Sequence, residues 1–326
     1  MTPDRAAERS VIGALLLEPD RFADVREWLE PGDFHGTAER QAYEAICAVG
    51  ARGQELSAAA VDHELRDRRT SAPLLADGAY LVGCMQLCPT PARAPVYGRM
   101  VLEMSIRRRV VDHGTRLRQR AEKAVTSHDL NLVFAQVDSA RRNVERLHQR
   151  EAQATSSRSP TPLLAPDLNS LPRRGSREDV PAERNAIHAL VDQPSALGVV
   201  SRWLSPTDFS DAECSGLYGE MTALHEAKKP IDRVTLAWRA MRVGVTGPVC
   251  DSLVSPRGPA SVAGDPVRAS REVLQQSVRA SVLSTADVLE GMTRDVSGDV
   301  TSEAYARLNS LWPQQRRLIK AGLPNP

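Results

Sequence analysis

Apolar residues recur at helical spacing over most of the chain. Val11, Ile12, Leu15 and Leu16 form a one-sided apolar stripe, which predicts an amphipathic helix near the N-terminus. Four similar stretches come next in the chain. One begins at Pro19, one runs from Thr37 to about Ala51, one follows the predicted cap residue Ser57, and one covers about 79–87. Together these short helices predict a small helical head.

Two longer predicted helices come next, over about 96–125 and 129–150. The second carries apolar residues at intervals of 3, 4, 3, 4 and 3, which is typical of a helix–helix seam. The seam residues are Leu130, Val133, Val137, Ala140, Val144 and Leu147. A short turn separates the two helices, so the pattern predicts an αα-hairpin. We expect its seam to be the main protein-association surface of the chain.

The whole pattern occurs twice. Ala7-Glu8-Arg9 recurs as Ala182-Glu183-Arg184, and Trp28 and Phe34 recur as Trp203 and Phe209, at a constant offset of 175 residues. Later matches such as Ser105 and Ser277 have an offset of 172, so the second copy is three residues shorter in between. Because Trp and Phe are rare in this chain, matches of both in register indicate duplication of a whole domain.

The predicted fold class is all-α, with two copies of a small helical head plus hairpin joined by a flexible linker. The first domain is assigned to 1–150 and the second, degenerate copy to 181–321. Residues 151–180 are rich in Pro, Ser and Arg and lack an apolar period, which is typical of a linker. Pro313 falls in the second arm of the second hairpin, where it should break or kink the helix.

Composition excludes several classes of function. With 41% hydrophobic, 25% charged and only 4% aromatic residues, the chain favours helical cores built from small aliphatic side chains. A net charge of +1 gives no global attraction to nucleic acid or membrane. The five cysteines lack the spacing of a disulfide framework or a zinc site. We therefore expect no bound metal. No apolar run reaches the roughly 18 residues of a membrane span, so we expect a cytoplasmic protein.

An ordered series of residues runs through the first head. It comprises Glu8-Arg9-Ser10-Val11-Ile12-Gly13-Ala14-Leu15-Leu16, Leu29-Glu30-Pro31-Gly32-Asp33-Phe34, Arg40 to Tyr43, Asp77-Gly78-Ala79-Tyr80-Leu81, and Tyr97-Gly98-Arg99-Met100-Val101 with Arg107-Arg108. This series resembles the N-terminal domain of DnaB-type replicative helicases, over nearly all of 1–150 and again over about 181–292. The second copy departs from the pattern at His188, Ser252 and Ala269. We interpret His188 as a tolerated substitution on a core helix.

The resemblance implies an all-helical head with a hairpin. In that family, such heads pair through their hairpins into a collar above the motor ring, and the collar receives the primase. The family's motor is a RecA-like ATPase domain that follows the head and linker, whereas here the linker is followed by a second head. The partners implied are therefore the chain itself, a replicative helicase or a primase.

No phosphate-binding loop is encoded. The loop Gly-x-x-x-x-Gly-Lys-Ser/Thr binds phosphates through its amides and lysine, and none of the lysines of this chain follows a glycine. We therefore expect no catalytic residues, no cofactor and no enzymatic activity. A helicase or ATPase label would be inherited from the family alone.

A DNA-binding accessory role is the alternative. Arg107, Arg108 and Arg109 on one hairpin arm and Arg141 and Arg142 on the other form clusters that could contact phosphates without sequence preference. No aromatic residues interleave them for base stacking, so a solvated surface is favoured.

We predict a non-catalytic scaffold or accessory protein of DNA replication, with a component of a helicase or primosome complex as a related alternative. The sequence leaves open the partner, the oligomeric state, and whether the heads pair within or between chains. It also leaves open whether the protein is active in replication or a degenerate remnant.

Overall fold

A computed structural model of the chain describes residues 2–68, 78–155, 180–255, 264–292 and 299–323. All regular structure in these ranges is helical, which confirms the all-α prediction. The chain forms two compact units. The first comprises Met1–Asp112, Arg141–Leu164 and Gly291–Tyr305, and the second comprises His113–Ala140, Ala165–Glu290 and Ala306–Pro326. Each unit therefore combines one head with a piece of the other copy's hairpin.

The described part of the first head, which omits 69–77, contains five α-helices. They are α1 (Pro3–Leu17), α2 (Phe22–Val25), α3 (Thr37–Ala51), α4 (Ala58–Asp67) and α5 (Ala79–Leu87). The apolar stripe of α1 is fully buried at Val11, Ile12 and Leu15. Gly13 allows α1 to lie directly against α5, because a Cβ at this position would be only 2.1 Å from the carbonyl oxygen of Cys84.

The first hairpin consists of α6 (Ala94–Lys123) and α7 (Ser127–Ala154), which extend a few residues beyond some of the predicted ends. The turn between them is closed by Asp129. Its carboxylate accepts hydrogen bonds from the backbone N–H groups of Val125 at 3.1 Å and Thr126 at 2.8 Å. These contacts hold the pKa of Asp129 below its ordinary value, the backbone bond from Thr126 most of all.

The second copy repeats this order. Its head contains α8 (Val180–Asp192), α9 (Leu197–Val200), α10 (Ala212–Glu226), α11 (Arg233–Arg242) and α12 (Pro248–Val254), followed by α13 (Pro266–Gly291), α14 (Val300–Asn309) and α15 (Trp312–Lys320). The predicted interruption at Pro313 is confirmed, because one helix ends at Asn309 and the next begins at Trp312. Proline is tolerated there because backbone N–H groups in the first turn of a helix have no partner within the helix, so the N–H that proline lacks costs no hydrogen bond.

The two heads share their internal contacts. Phe34 stacks on Tyr43 with ring centroids 4.7 Å apart, and the matching pair Phe209 and Tyr218 lies 5.0 Å apart. The Tyr43 hydroxyl donates to the backbone carbonyl of Leu29 at 3.3 Å, and the Tyr218 hydroxyl donates to that of Leu204 at the same distance. Trp28 and Trp203 are both buried. The duplication inferred from the sequence is thus visible as the same core built twice.

A buried glutamate fixes the entry to the third helix of each head. Glu8 accepts the backbone N–H groups of His35 at 2.7 Å and Gly36 at 3.2 Å. Its counterpart Glu183 accepts the equivalent pair, at 2.8 and 3.0 Å. A buried carboxylate is stable only when its oxygens are hydrogen-bonded, so this glutamate has a structural role in both heads.

Most of the predicted linker, 156–179, and Asp77 of the resembling series lie outside the described residues. Among the helices that the structure describes, none combines the length and apolarity that crossing a membrane would require.

Candidate interaction surfaces of the hairpins

The predicted seam of the first hairpin is buried along its whole length. Leu130, Val133, Val137 and Ala140 belong to the second unit, and Val144 and Leu147 belong to the first. Val137 is the most exposed of the six, at 5%. The seam is therefore covered by other parts of the same chain. Its use as an interface with another protein stays a prediction.

In the second unit, the first hairpin contacts the second copy. At Gly114 of α6, a Cβ would lie 3.0 Å from the carbonyl oxygen of Ala286 and from the Cβ of Leu289, so α6 and α13 approach closely. Nearby, Arg118 donates from Nε to one carboxylate oxygen of Glu290 at 3.1 Å and from Nη2 to the other at 2.5 Å, and it also pairs with Asp287. This bidentate geometry is the strong form of an arginine–carboxylate contact, and Arg118 holds the pKa of Glu290 below its ordinary value.

A second arginine completes this contact. Arg279 of α13 donates to the carbonyl oxygens of Ala121 and Glu122, both at 2.8 Å. These two residues lie in the last turn of α6, where backbone carbonyls have no partner within the helix. A cation from the second copy therefore caps a helix of the first.

In the first unit, the end of the first hairpin contacts the start of α14. The Thr301 hydroxyl lies 2.9 Å from His148 Nδ1, 3.0 Å from a Glu151 oxygen and 2.9 Å from an Asp299 oxygen. Thr301 is fully buried. A hydroxyl carries a single proton, so it can donate to only one of these carboxylates at a time.

The same three acceptors form a group that could hold a metal ion, with one ligand atom each from His148, Glu151 and Asp299 within 4.8 Å of one another. Burial raises the pKa of Glu151, and the charge of Asp299 adds to this effect. Sequence reasoning missed the cluster because Asp299 is far along the chain from the His148–Glu151 pair.

Most of the arginines predicted as candidate nucleic-acid contacts bind groups of their own chain. Arg107 is 6% exposed and pairs with Glu103 at 2.8 Å. Arg108 donates to the backbone carbonyl of Asp33, and burial lowers its pKa. Arg109 donates to the Asp33 carboxylate at 3.0 Å.

The second-arm arginines differ from one another in exposure. Arg141 is partly buried, whereas Arg142 is exposed. Of the five predicted contacts, Arg142 thus has the side chain most available to a phosphate. Whether any of them binds nucleic acid stays a prediction.

Asp33 connects the head to both hairpin arms. It is completely buried and accepts hydrogen bonds from Ser105 of α6 at 2.8 Å and from the N–H of Glu30 at 2.8 Å. Arg150 of α7 pairs with the same carboxylate and donates to the carbonyl oxygen of Trp28 at 2.7 and 3.0 Å. We call this group the Asp33 node; Arg150 is the member that the repeat alignment did not reveal.

The second copy contains an equivalent node. Asp208 accepts from Ser277 at 2.7 Å and from the N–H of Ser205 at 2.8 Å. Arg317 pairs with it and donates to the carbonyl oxygen of Trp203 at 2.9 Å. Burial alone would raise the pKa of Asp208, but Arg317 and Ser277 outweigh burial and keep the pKa below its ordinary value.

The departure at His188 has a local explanation. In the first head, Gly13 leaves no room for a side chain. In the second head, Ser252 occupies the position of Tyr80, and its hydroxyl lies 3.0 Å from His188 Nε2. Burial, together with the charge of Arg233, lowers the pKa of His188. The His188 ring therefore has a hydroxyl partner on α12. Its interpretation as a tolerated substitution stays a prediction.

Sequence comparison places these heads in a known family. Residues 2–103 and 176–249, together more than half of the chain, match the family described as the DnaB-like helicase N terminal domain. The chain belongs to this family. The match falls in both copies, in agreement with the duplicated head.

Three replicative helicases show the extent of similarity. The chain is 40% identical over 116 residues to the replicative DNA helicase DnaB of Mycobacterium leprae (strain TN), covering 36% of this chain and 19% of that protein. It is 35% identical over 122 residues to the DnaB of Leifsonia xyli subsp. xyli (strain CTCB07), covering 37% and 26%. It is 31% identical over 116 residues to the replicative DNA helicase DnaC of Bacillus subtilis (strain 168), covering 35% and 25%.

A solved structure is also similar. The crystal structure of the N-terminal domain of DnaB helicase from Mycobacterium tuberculosis has 36% sequence identity and a TM-score of 0.37, and the match covers 41% of this chain and 95% of that one. This chain spans only 19–26% of the length of the three helicases above. The family match places the relationship to DNA replication helicases in their N-terminal domain.

Proposed function

We propose that the protein is a non-catalytic interaction module of DNA replication that carries two helicase-type heads in one chain. The observation that carries the proposal is the contact between the two hairpins within a single chain, through Arg118 and Glu290 in one unit and through His148 and Thr301 in the other. The family resemblance implies that such heads pair through their hairpins. One chain here contains both members of a pair.

The absence of a phosphate-binding loop from the sequence supports a non-catalytic role. The family match and the replicative relatives support a partner in replication, for which the family offers the replicative helicase and the primase. We expect the module to bind one of these two proteins and to hydrolyse no ATP itself.

Pull-down of the purified helicase and of the purified primase from the same organism, with the full chain as bait, tests the partner. The variant Arg118→Glu should weaken binding, because it places like charges at the contact with Glu290. The double variant Arg118→Glu, Glu290→Arg restores opposite charges and should recover binding at least in part. Retention of neither protein at micromolar concentration would refute the role in replication.

A magnesium-dependent ATPase assay on the full chain tests the non-catalytic part separately. We expect no turnover above the buffer control. Turnover that co-purifies with the protein through successive columns would refute this part of the proposal, whatever the pull-down shows.

A further inference from the structure

One helix of the second head exposes an apolar stripe. On α11, Val234, Trp238 and Met241 are 68%, 55% and 58% exposed. Their spacing of i, i+4 and i+7 puts them side by side on one face of the helix. Single exposed apolar residues are common, but a contiguous group that includes tryptophan is typical of an interaction site.

The fold does not require this stripe. The matching helix of the first head is α4, at an offset of 175 residues, and both helices have a side-chain cap, Ser57 and Asp232. Val61 and Leu65 of α4 are buried, as are their counterparts Leu236 and Ala240 in α11. The inward positions stay buried and apolar at these two sites, whereas the outward residues change character, with Ala59, His63 and Arg66 replaced by Val234, Trp238 and Met241. The same head thus exists with and without the stripe.

The charge of the helix changes with it. Helix α4 contains three carboxylates and one arginine, which gives a formal charge of −2 with histidine neutral. Helix α11 contains three arginines and no carboxylate, which gives +3. Two of the new arginines, Arg239 and Arg242, stand where α4 has Glu64 and Asp67. The loop before α11 adds Lys228 and Lys229, both exposed, where the first copy has Gly53 and Gln54.

One of these cations lies directly beside the stripe. The guanidinium carbon of Arg242 is 5.0 Å from the centroid of the Trp238 ring. The other two arginines of α11 are paired within the second head, Arg233 with Asp192 at 2.8 Å and Arg239 with Glu220.

In α4, Arg66 pairs with Asp62 at 2.7 Å, and His63 lies 3.2 Å from Asp67. The second head therefore presents an apolar row with a positive border formed by Arg242, whereas the first head presents a polar surface.

We infer that the α11 stripe is a docking surface for an acidic amphipathic helix of a second protein. The three side chains match the apolar face of a partner helix, whose anchors recur at the same spacing. The positive border favours carboxylates around those anchors and disfavours basic or neutral partners. Three apolar side chains on a ten-residue helix are few for anchoring to a membrane, which relies on a larger buried apolar face.

This inference rests on the proposed interaction role but concerns a different surface from the hairpins. If the pull-downs fail and the stripe binds acidic helices, only the assignment to replication is lost. If the pull-downs succeed and remain unchanged in stripe variants, with no acidic helix bound, only the stripe is refuted.

The test uses the full chain and a displayed library of helical peptides of mixed charge. Binders are selected on the wild type, and an enriched peptide is then labelled and titrated by fluorescence anisotropy. The variants are Trp238→His with Met241→Arg, and separately Arg242→Asp, each of which installs the residue that α4 carries at the same position. His63→Trp in α4 is the matched control, because it adds a tryptophan without the positive border. Circular dichroism verifies that all variants remain folded.

We expect the enriched peptides to be acidic, with apolar residues at i, i+3 or i+4, and i+7. Their affinity should fall about tenfold or more in the double variant, since a central tryptophan commonly dominates an interface. It should fall severalfold in Arg242→Asp and at raised salt, and His63→Trp should leave it unchanged.

Four results would overturn the inference: enrichment of basic or neutral peptides, no enrichment that depends on Trp238, binding only to phosphatidylglycerol vesicles, or a doubling of the protein's mass by light scattering that Trp238→His abolishes. The last result would assign the stripe to a second copy of this chain.

Discussion

Removal of the Asp33 carboxylate should detach the first hairpin from its head. In Asp33→Ala, Ser105 and the Glu30 N–H lose their acceptor, and both Arg150 and Arg109 lose the Asp33 carboxylate. Arg150, whose side chain is only 12% exposed, then keeps one carboxylate partner among the described residues, Glu30 at 3.3 Å. Breaking a buried ion pair by removing one partner costs about 3–5 kcal/mol. This is a large part of the roughly 5–15 kcal/mol that stabilises a typical domain.

The size of the effect can be separated from ordinary cavity formation. Arg150→Met removes the guanidinium, so the double variant Asp33→Ala, Arg150→Met no longer contains the more buried of the two arginines that pair with Asp33. The other one, Arg109, is 28% exposed at the side chain, so solvent compensates more of its loss. We expect the double variant to be less destabilised than the sum of the two single variants, by about 1–3 kcal/mol, as for other coupled neighbours. Asp208→Ala is the matched variant, since it removes the same node from the second copy.

Urea unfolding followed by circular dichroism measures these differences, and limited proteolysis reports on the hairpin. In Asp33→Ala, the end of α7 should become sensitive to cleavage, whereas in Asp208→Ala cleavage should appear in α15. A loss of less than about 1 kcal/mol for Asp33→Ala would contradict the importance of the node. Strict additivity with Arg150→Met would contradict the coupling itself.

Three further predictions concern the second head, the packing of the first and nucleic acid. Because folding lowers the pKa of His188, the unfolded chain binds the proton of this histidine more readily than the folded chain. The contribution of His188 to stability should therefore be complete above about pH 6.5 and should fall as the pH drops below that value. The melting temperature of His188→Gln should accordingly fall less than that of the wild type between about pH 8 and pH 5.5. Gly13→Ala should cost about 1–3 kcal/mol or more in urea unfolding, since its Cβ would overlap the Cys84 carbonyl, whereas Gly198→Ala, whose Cβ would meet only the His225 ring at 3.8 Å, should cost little. DNA affinity, measured by anisotropy, should be weak and disappear by about 200 mM salt; binding that persists and is lost in Arg142→Ala would favour the DNA-binding alternative.

The sequence determined the features that depend on neighbouring residues. Helical spacing of apolar side chains predicted the helices of both heads and the long hairpin arms, because burial of one face is a local property of an amphipathic helix. Pro313 predicted the interruption between α14 and α15, because proline removes a backbone hydrogen bond from the helix turn in which it stands, which is also a local effect. The constant offset between Trp28 and Trp203 revealed the duplication, and the ordered series around it indicated the family.

Only the tertiary structure decided which side chains meet across the chain. Asp33 and Arg150 are separated by 117 residues, and Thr301 and His148 by 153, so no local pattern connects them. The same holds for Arg108 and Arg109, which the sequence presents as part of one basic run and which the folded chain directs onto Asp33. Helix formation follows from local spacing, whereas the partner of a charge follows from how helices distant in sequence pack. The exposure of Trp238 was decided in the same way, by where α11 lies on its head.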